Sequence, residues 1–262
     1  SYNFLHQLIS SQLDMDRLDY LRRDSFYTGV TEGNIGSARI IKMLNVIDDS
    51  LVVEQKGIYS LENYLTTRRL MYWQVYLHRT CVVYEKVLVN MLNRAKELVR
   101  RGHEVFASPA LHYFLSNEVD AAWFNTHPEA LANYEELDDS DIWSAMKAWK
   151  HNDDKILSTL ATDMLDRKIF KVEVHEEPIP QERIDELQQD IARKMDIPVE
   201  EAHYLMSLNT IQKDMYNVDD DSIAILYKNG EIKDISEASE LLNVQLLSKK
   251  IRKYYLCYQR LE

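Results

Sequence analysis

Proline and glycine are scarce: 5 and 6 of 262 residues, about 4% together against about 12% in an average protein. That shortage excludes collagen-like and Gly/Pro-rich disordered chains, disfavours a loop-rich all-β fold and favours long helices. Cysteine is scarcer still. Cys81 and Cys257 are the only two, and they read as two buried thiols rather than a disulfide. With no Cys-x-x-Cys pair, a zinc ribbon is excluded. No apolar run approaches the roughly 18 residues of a membrane span, and no basic stretch followed by an apolar one stands near the start. Neither a membrane contact nor a secretory leader is therefore expected, and the chain reads as cytoplasmic. What is present is ordinary for a globular protein: 45% hydrophobic and 28% charged residues, enough for one large domain or two small ones.

The formal net charge of −12 argues against nucleic acid as a partner. The charge is unevenly spread. Residues 1–100 carry 13 Lys/Arg and 11 Asp/Glu, whereas residues 101–262 carry 18 and 32. An anion site belongs more naturally in the first hundred residues.

Hydrophobic spacing predicts a helix over 3–27, with Leu5, Leu8, Ile9, Leu13, Leu18 and Leu21 on its apolar side. Gly29, Gly33 and Gly36 then mark a loop. A short helix at 37–43 follows, then a hairpin formed by 46–47 and 51–53. A long helical stretch runs from about Glu62 to Arg101 and stops before Gly102. Further helices are expected at 109–116, 128–136, 140–150 and 153–166, where Trp143 and Trp149 suit either a core or a subunit interface. Beyond Arg167 the pattern changes. Strands are predicted at 169–174, 204–208, 223–227 and 251–258, helices at 181–194 and 236–242, and a hairpin turn at Asn229-Gly230. This β-α-β-β-α-β order is that of a ferredoxin-like split βαβ. The expected fold is mainly α: a helical body over 1–166, then a smaller α+β lobe over 167–262.

Chemistry concentrates in Asp14-Met-Asp-Arg-Leu-Asp-Tyr-Leu-Arg-Arg-Asp24, which holds four carboxylates and three arginines. On a helix, Asp16, Tyr20, Arg23 and Asp24 share one face, while Leu13, Leu18 and Leu21 can face a core. The pattern suits a solvated amphipathic helix with i,i+4 ion pairs. It also suits a site where a carboxylate binds a hard divalent cation and arginine grips phosphate. A second stripe, Arg68, Tyr72, Tyr76 and Arg79, recurs at i, i+4, i+8 and i+11. Taken alone, it reads as an aromatic core stripe or a pocket wall.

The 14–24 segment closely resembles the last motif of the HD-domain phosphohydrolases, in the branch of dGTP and dNTP triphosphohydrolases. That family carries four metal ligands in the order His, His-Asp, Asp. The final Asp lies in a stretch of the form Asp-x-Asp-[Lys/Arg]-x-Asp-Tyr-x-x-Arg-Asp. The resemblance implies that Asp16 is a metal ligand and catalytic residue, that Arg17 contacts substrate phosphate, and that Tyr20 and Asp24 line the sugar pocket. A family helix of the form Arg, several residues, Tyr-x-His-[Lys/Arg] is similar to Arg68-Arg-Leu-Met-Tyr72-Trp-Gln-Val-Tyr76-Leu-His78-Arg79. By that likeness Arg68 contacts phosphate, Tyr76 packs on base or sugar, and Tyr72 and Arg79 share the substrate face. Vertebrate dNTPases have His where Tyr72 stands and Gln where Leu77 stands, so base and sugar selectivity do not carry over. Residues 137–142 and 167–171 also look like bacterial and archaeal members, which extends the likeness over residues 3–171.

The resemblance implies metal-assisted hydrolysis of a nucleotide, a (d)NTP giving nucleoside and tripolyphosphate. It further implies a divalent metal (Mn, Mg, Fe, Ni or Zn) and a homo-oligomer that binds nucleotide substrate or effector. The family's His and His-Asp ligands precede the Asp motif. Here His6 is the only histidine upstream, on the same predicted helix as Asp16, and no His-Asp dipeptide exists. The expectation is the C-terminal part of a longer enzyme, keeping one metal ligand, binding no metal by itself and inactive alone. The alternative is a non-catalytic regulatory or oligomerisation module derived from the same family.

Overall fold

The computed structural model describes residues 2–168, 170–213, 222–239 and 251–260. In chain order the elements are α1 (Asn3–Ile9), α2 (Met15–Thr28), α3 (Ser37–Lys42), β1 (Leu44–Ile47), β2 (Ser50–Glu54), α4 (Ile58–Met71) and α5 (Arg79–Arg100). Then come α6 (Pro109–Ser116), α7 (Ala121–Thr126), α8 (Pro128–Glu136), α9 (Asp139–Trp149), α10 (Lys155–Leu165), β3 (Lys171–His175) and α11 (Gln181–Met195). The last are β4 (Met206–Lys213), β5 (Ala224–Leu226), β6 (Ile232–Asp234), α12 (Ile235–Ala238) and β7 (Ile251–Tyr258). The fold is mainly helical with a smaller α+β part, as expected. Residue 169 of the expected strand and residues 240–242 of the expected helix lie outside the described residues. Two compact units form: residues 1–78 with 211–252, and residues 79–210 with 253–262.

In the first unit, α1 and α2 replace the single helix expected over 3–27. The break has a local cause. Asp14 is extended and its carboxylate accepts the Arg17 backbone N–H at 2.7 Å, while Ser11 Oγ accepts Leu13 N–H at 3.0 Å. Such side chains compete with the helical backbone bonds and begin a new helix. α2 then buries Leu18 and Leu21 beside Leu13 and ends at Gly29, whose φ of 73° suits glycine. Gly33 is required for another reason, because a Cβ there would collide with the Ser25 side chain and Met71 Sδ. The stretch expected as one helix from 62 to 101 is also divided. α4 runs into a π-helical turn at Tyr72–Tyr76 before α5 begins, a rare geometry that often accompanies functional sites.

The strands depart from the ferredoxin-like order. They form two sheets, β1-β2-β5-β6 and β3-β7-β4, rather than one. β1 and β2 make an antiparallel hairpin through Asp48 and Asp49, whose φ of 47° and 58° fit a tight two-residue turn. β5 lies parallel to β2, and β6 returns antiparallel to β5. The hairpin at Asn229-Gly230 therefore extends the N-terminal one. Burial drives this choice: Ile223 and Ile225 enter the core built by Leu18, Leu21, Val53, Leu61 and Leu65.

In the second unit Trp149 is fully buried and its indole N–H donates to Phe106 O at 2.8 Å, whereas Trp143 is half exposed. Arg94, only 4% exposed, ties three segments together. It reaches Asp154 at 2.6 Å, Glu97 at 2.9 Å and Glu201 at 3.0 Å. Cys257 is buried as expected, but Cys81 is exposed near the start of α5, on the face opposite Val82 and Val83. Among the described residues, no helix is long and apolar enough to cross a membrane.

Candidate functional site

The loop 10–14 between α1 and α2 organises the site in the first unit. Arg17, at the start of α2, donates through Nη1 to the buried Asp14 carboxylate and to Ser11 O. Burial alone would lower the Arg17 pKa, but Asp14 more than compensates and holds it above the ordinary arginine value. Tyr64 of α4, fully buried, donates its hydroxyl to Gln12 O at 2.8 Å. One turn later Arg68 donates from Nη1 to Gln12 Oε1 at 2.7 Å, and its guanidinium carbon lies 5.8 Å from the Tyr72 ring centre. Arg68 is 8% exposed, and among the described residues it pairs with no carboxylate.

The π-helical turn supplies the aromatic wall. It lets Tyr72 and Tyr76 meet edge to face at 5.5 Å, and Tyr76 meets Tyr20 of α2 in the same way at 5.7 Å. Tyr76 donates its hydroxyl to Asp24 Oδ2 at 2.8 Å. Burial, and after it the neighbouring Tyr72, pushes the Tyr20 pKa up to about 12, against the pull of Arg17 and Arg68. Burial and then the Asp24 carboxylate raise that of Tyr76 as well. Both hydroxyls therefore stay protonated at neutral pH and act as neutral donors.

The other expected residues sit differently. Asp16 is exposed in the first turn of α2, where a carboxylate complements the helix dipole, and it takes no partner among the described residues. Arg23 points outward and pairs with Asp19 at 3.2 Å. Arg79 opens α5 in the second unit and is exposed. The structure thus gathers Arg17, Tyr20, Asp24, Arg68, Tyr72 and Tyr76, and leaves Asp16 on the surface of the same helix. Among the described residues no three His, Cys, Asp or Glu side chains gather to hold a metal ion. A lone Asp16 does not fit an ion that needs several protein ligands, so these residues do not form a metal site by themselves.

Gln12 and Tyr64 were not anticipated from the sequence. The usable signal was Ser10-Ser-Gln-Leu-Asp14, a Ser-rich run ending in a helix-capping Asp, which marks a break rather than a helix interior.

Residues 35–108 match the family model described as "HD associated region". That span contains Arg68, Tyr72, Tyr76 and Arg79 but not the 14–24 motif. The crystal structure of a phosphohydrolase from Bacteroides thetaiotaomicron is similar, with a TM-score of 0.93 and 62% identity over 99% of this chain and 64% of that one. The uncharacterized protein YwfO of Bacillus subtilis is 32% identical over 257 residues, 96% of this chain and 56% of the relative. A Dictyostelium discoideum protein named as a deoxynucleoside triphosphate triphosphohydrolase SAMHD1 homolog is 27% identical over 100 residues, 37% of this chain and 19% of that protein. The chain spans little more than half the length of the Bacillus relative.

Proposed function

We propose that the chain belongs to the HD-domain superfamily phosphohydrolases, which the matches above support, and that it carries the substrate side of a metal-dependent enzyme that cleaves a nucleotide. The substrate of this reading is a (d)NTP, released as nucleoside and tripolyphosphate. The observation that supports it is Arg68: a buried guanidinium with an amide and a ring for neighbours and no carboxylate among the described residues. Burying a cation without a counter-charge is costly, and a polyphosphate supplies that charge. Arg17 lies near enough to act with Arg68 on both Tyr20 and Tyr64, and so offers a second phosphate contact. Tyr20, Tyr72 and Tyr76 present ring surface to sugar and base. Asp24, with Oδ2 held by Tyr76, offers Oδ1 to a sugar hydroxyl. The 14–24 motif and the name of the Dictyostelium relative favour the dNTP branch.

Asp16 contributes one ligand to a divalent ion whose other ligands lie outside the described residues, in keeping with relatives that are considerably longer. Arg79 remains a substrate contact on sequence likeness alone. A cytoplasmic homo-oligomer belongs to the same reading. Isothermal titration calorimetry with dGTP and with tripolyphosphate tests it. Both are expected to bind, and Arg68→Met is expected to weaken both by at least about tenfold, the loss of charged hydrogen bonds. Release of tripolyphosphate from dNTPs with Mn or Mg is expected to be absent for this chain alone. Failure of both ligands to bind removes the reading, and turnover by the chain alone removes its one-ligand premise.

A further inference from the structure

We propose that Gln12 is a positioning residue: its neutral carboxamide aims Arg68 at substrate phosphate without neutralising it. The inference rests on the anion-site reading above and assigns a role to a residue outside the two motifs.

Three contacts converge on one short loop. Ser11 O accepts from Arg17, Gln12 O accepts from the Tyr64 hydroxyl at 2.8 Å, and Gln12 Oε1 accepts from Arg68 Nη1 at 2.7 Å. Tyr64 is fully buried, so the Gln12 backbone is anchored from the core and its side chain leaves from a set position. The two arginines are treated differently. Arg17 is paired with the Asp14 carboxylate, whereas Arg68 receives an amide oxygen. A guanidinium has five N–H donors in a rigid fork. Occupying one through Nη1 orients the plane and leaves the Nη2 edge for two parallel bonds to a phosphate. A carboxylate in place of the amide would take that fork and cancel the charge. It would stabilise the fold, by giving a buried cation its counter-ion, and block the ligand. Glutamine has the shape of glutamate without the charge, so the two roles differ by a single side-chain atom.

The test uses the full chain, inorganic tripolyphosphate as probe in calorimetry at fixed salt, and thermal unfolding of the same samples without ligand. Gln12→Glu is expected to bind tripolyphosphate at least about tenfold more weakly, yet to unfold at a higher temperature. Gln12→Ala is expected to bind about three- to tenfold more weakly and to unfold at a lower temperature, because Arg68 loses the hydrogen bond to Gln12 Oε1. A merely structural role predicts that affinity and unfolding temperature fall together in both variants, and that outcome overturns the proposal. So does wild-type affinity in Gln12→Glu or, where that variant does not fold, in Gln12→Ala. In those cases an Arg68→Met control that has lost binding leaves the anion-site reading standing. A wild-type chain that fails to bind tripolyphosphate, or an Arg68→Met variant that binds it equally well, overturns the anion-site reading and this proposal with it.

Discussion

Replacing Arg68 by methionine should stabilise the free protein and destroy its response to polyphosphate. Arg68 is 8% exposed, and an effective desolvation cost of several kcal/mol attends a cation so buried. The hydrogen bond to Gln12 returns about 1.5–3 kcal/mol, and the Tyr72 face returns about 0.5–2 kcal/mol. Methionine fills a similar slender space and removes the charge, but it withdraws the hydrogen bond that Arg68 gives Gln12 Oε1, at a cost of about 1 kcal/mol. These terms nearly cancel, and since replacing a buried charge by an apolar side chain of similar volume is commonly neutral to stabilising by about 1–4 kcal/mol, a gain of about 1–2 kcal/mol is expected, or about 2–8 °C in melting temperature at 2–4 °C per kcal/mol for a chain of this size. Tripolyphosphate at a hundred times its dissociation constant should add about 2.7 kcal/mol to the wild type and nothing comparable to the variant. The order of the two proteins should therefore invert. Arg68→Met melts higher without ligand, and the wild type melts higher with it. Differential scanning calorimetry reads both states. A variant that melts below the wild type without ligand, or that shifts equally with it, refutes the argument that Arg68 is an uncompensated cation awaiting an anion.

Tyr76→Phe keeps the ring contacts but removes the bond to Asp24. It should cost about 1–2 kcal/mol and weaken dGTP binding while leaving tripolyphosphate binding intact, as calorimetry with both ligands would show. Gly33→Ala forces a methyl group against Ser25 and Met71 and should destabilise by about 1–3 kcal/mol in urea unfolding. Arg94→Met leaves Asp154 without the cation it pairs with and leaves Glu97 and Glu201 to share the more exposed Arg101. The expected loss is about 3–5 kcal/mol, checked by the same urea titration. Acid should act on the same cluster. Burial alone would raise the Asp154 carboxyl, but the Arg94 hydrogen bonds reverse this and hold it below the ordinary carboxylate value. Its stabilisation is therefore complete above about pH 4 and is lost as pH falls through the lowered value of the folded state. Urea midpoints between pH 2 and 6 should fall more steeply for the wild type than for Arg94→Met.

Much of the architecture followed from local pattern. The apolar positions Leu13, Leu18 and Leu21 are the buried ones, and helices formed at 109–116, 128–136 and 140–150 within a residue or so of expectation. Helical spacing and capping residues carry that information within a few turns of chain. Two breaks were harder to read. Asp14 caps α2 inside a stretch whose leucines keep their period, and the Tyr72–Tyr76 turn adds its extra residue without glycine or proline to announce it. The candidate site was partly legible because Arg17, Tyr20 and Asp24 share one motif and Arg68, Tyr72 and Tyr76 another.

By itself, then, the sequence determined the helical character, the apolar faces and the residue types able to meet a phosphate. Those depend on periodicity and on chemistry carried by single side chains. Tertiary structure alone decided that β5 and β6 join the N-terminal hairpin, since Ile223 and Ile225 found their apolar partners about 170 residues away. It alone decided that Arg17 meets a carboxylate and Arg68 an amide. Which arginine keeps its charge available depends on what another helix brings within hydrogen-bond reach, and no local spacing encodes that.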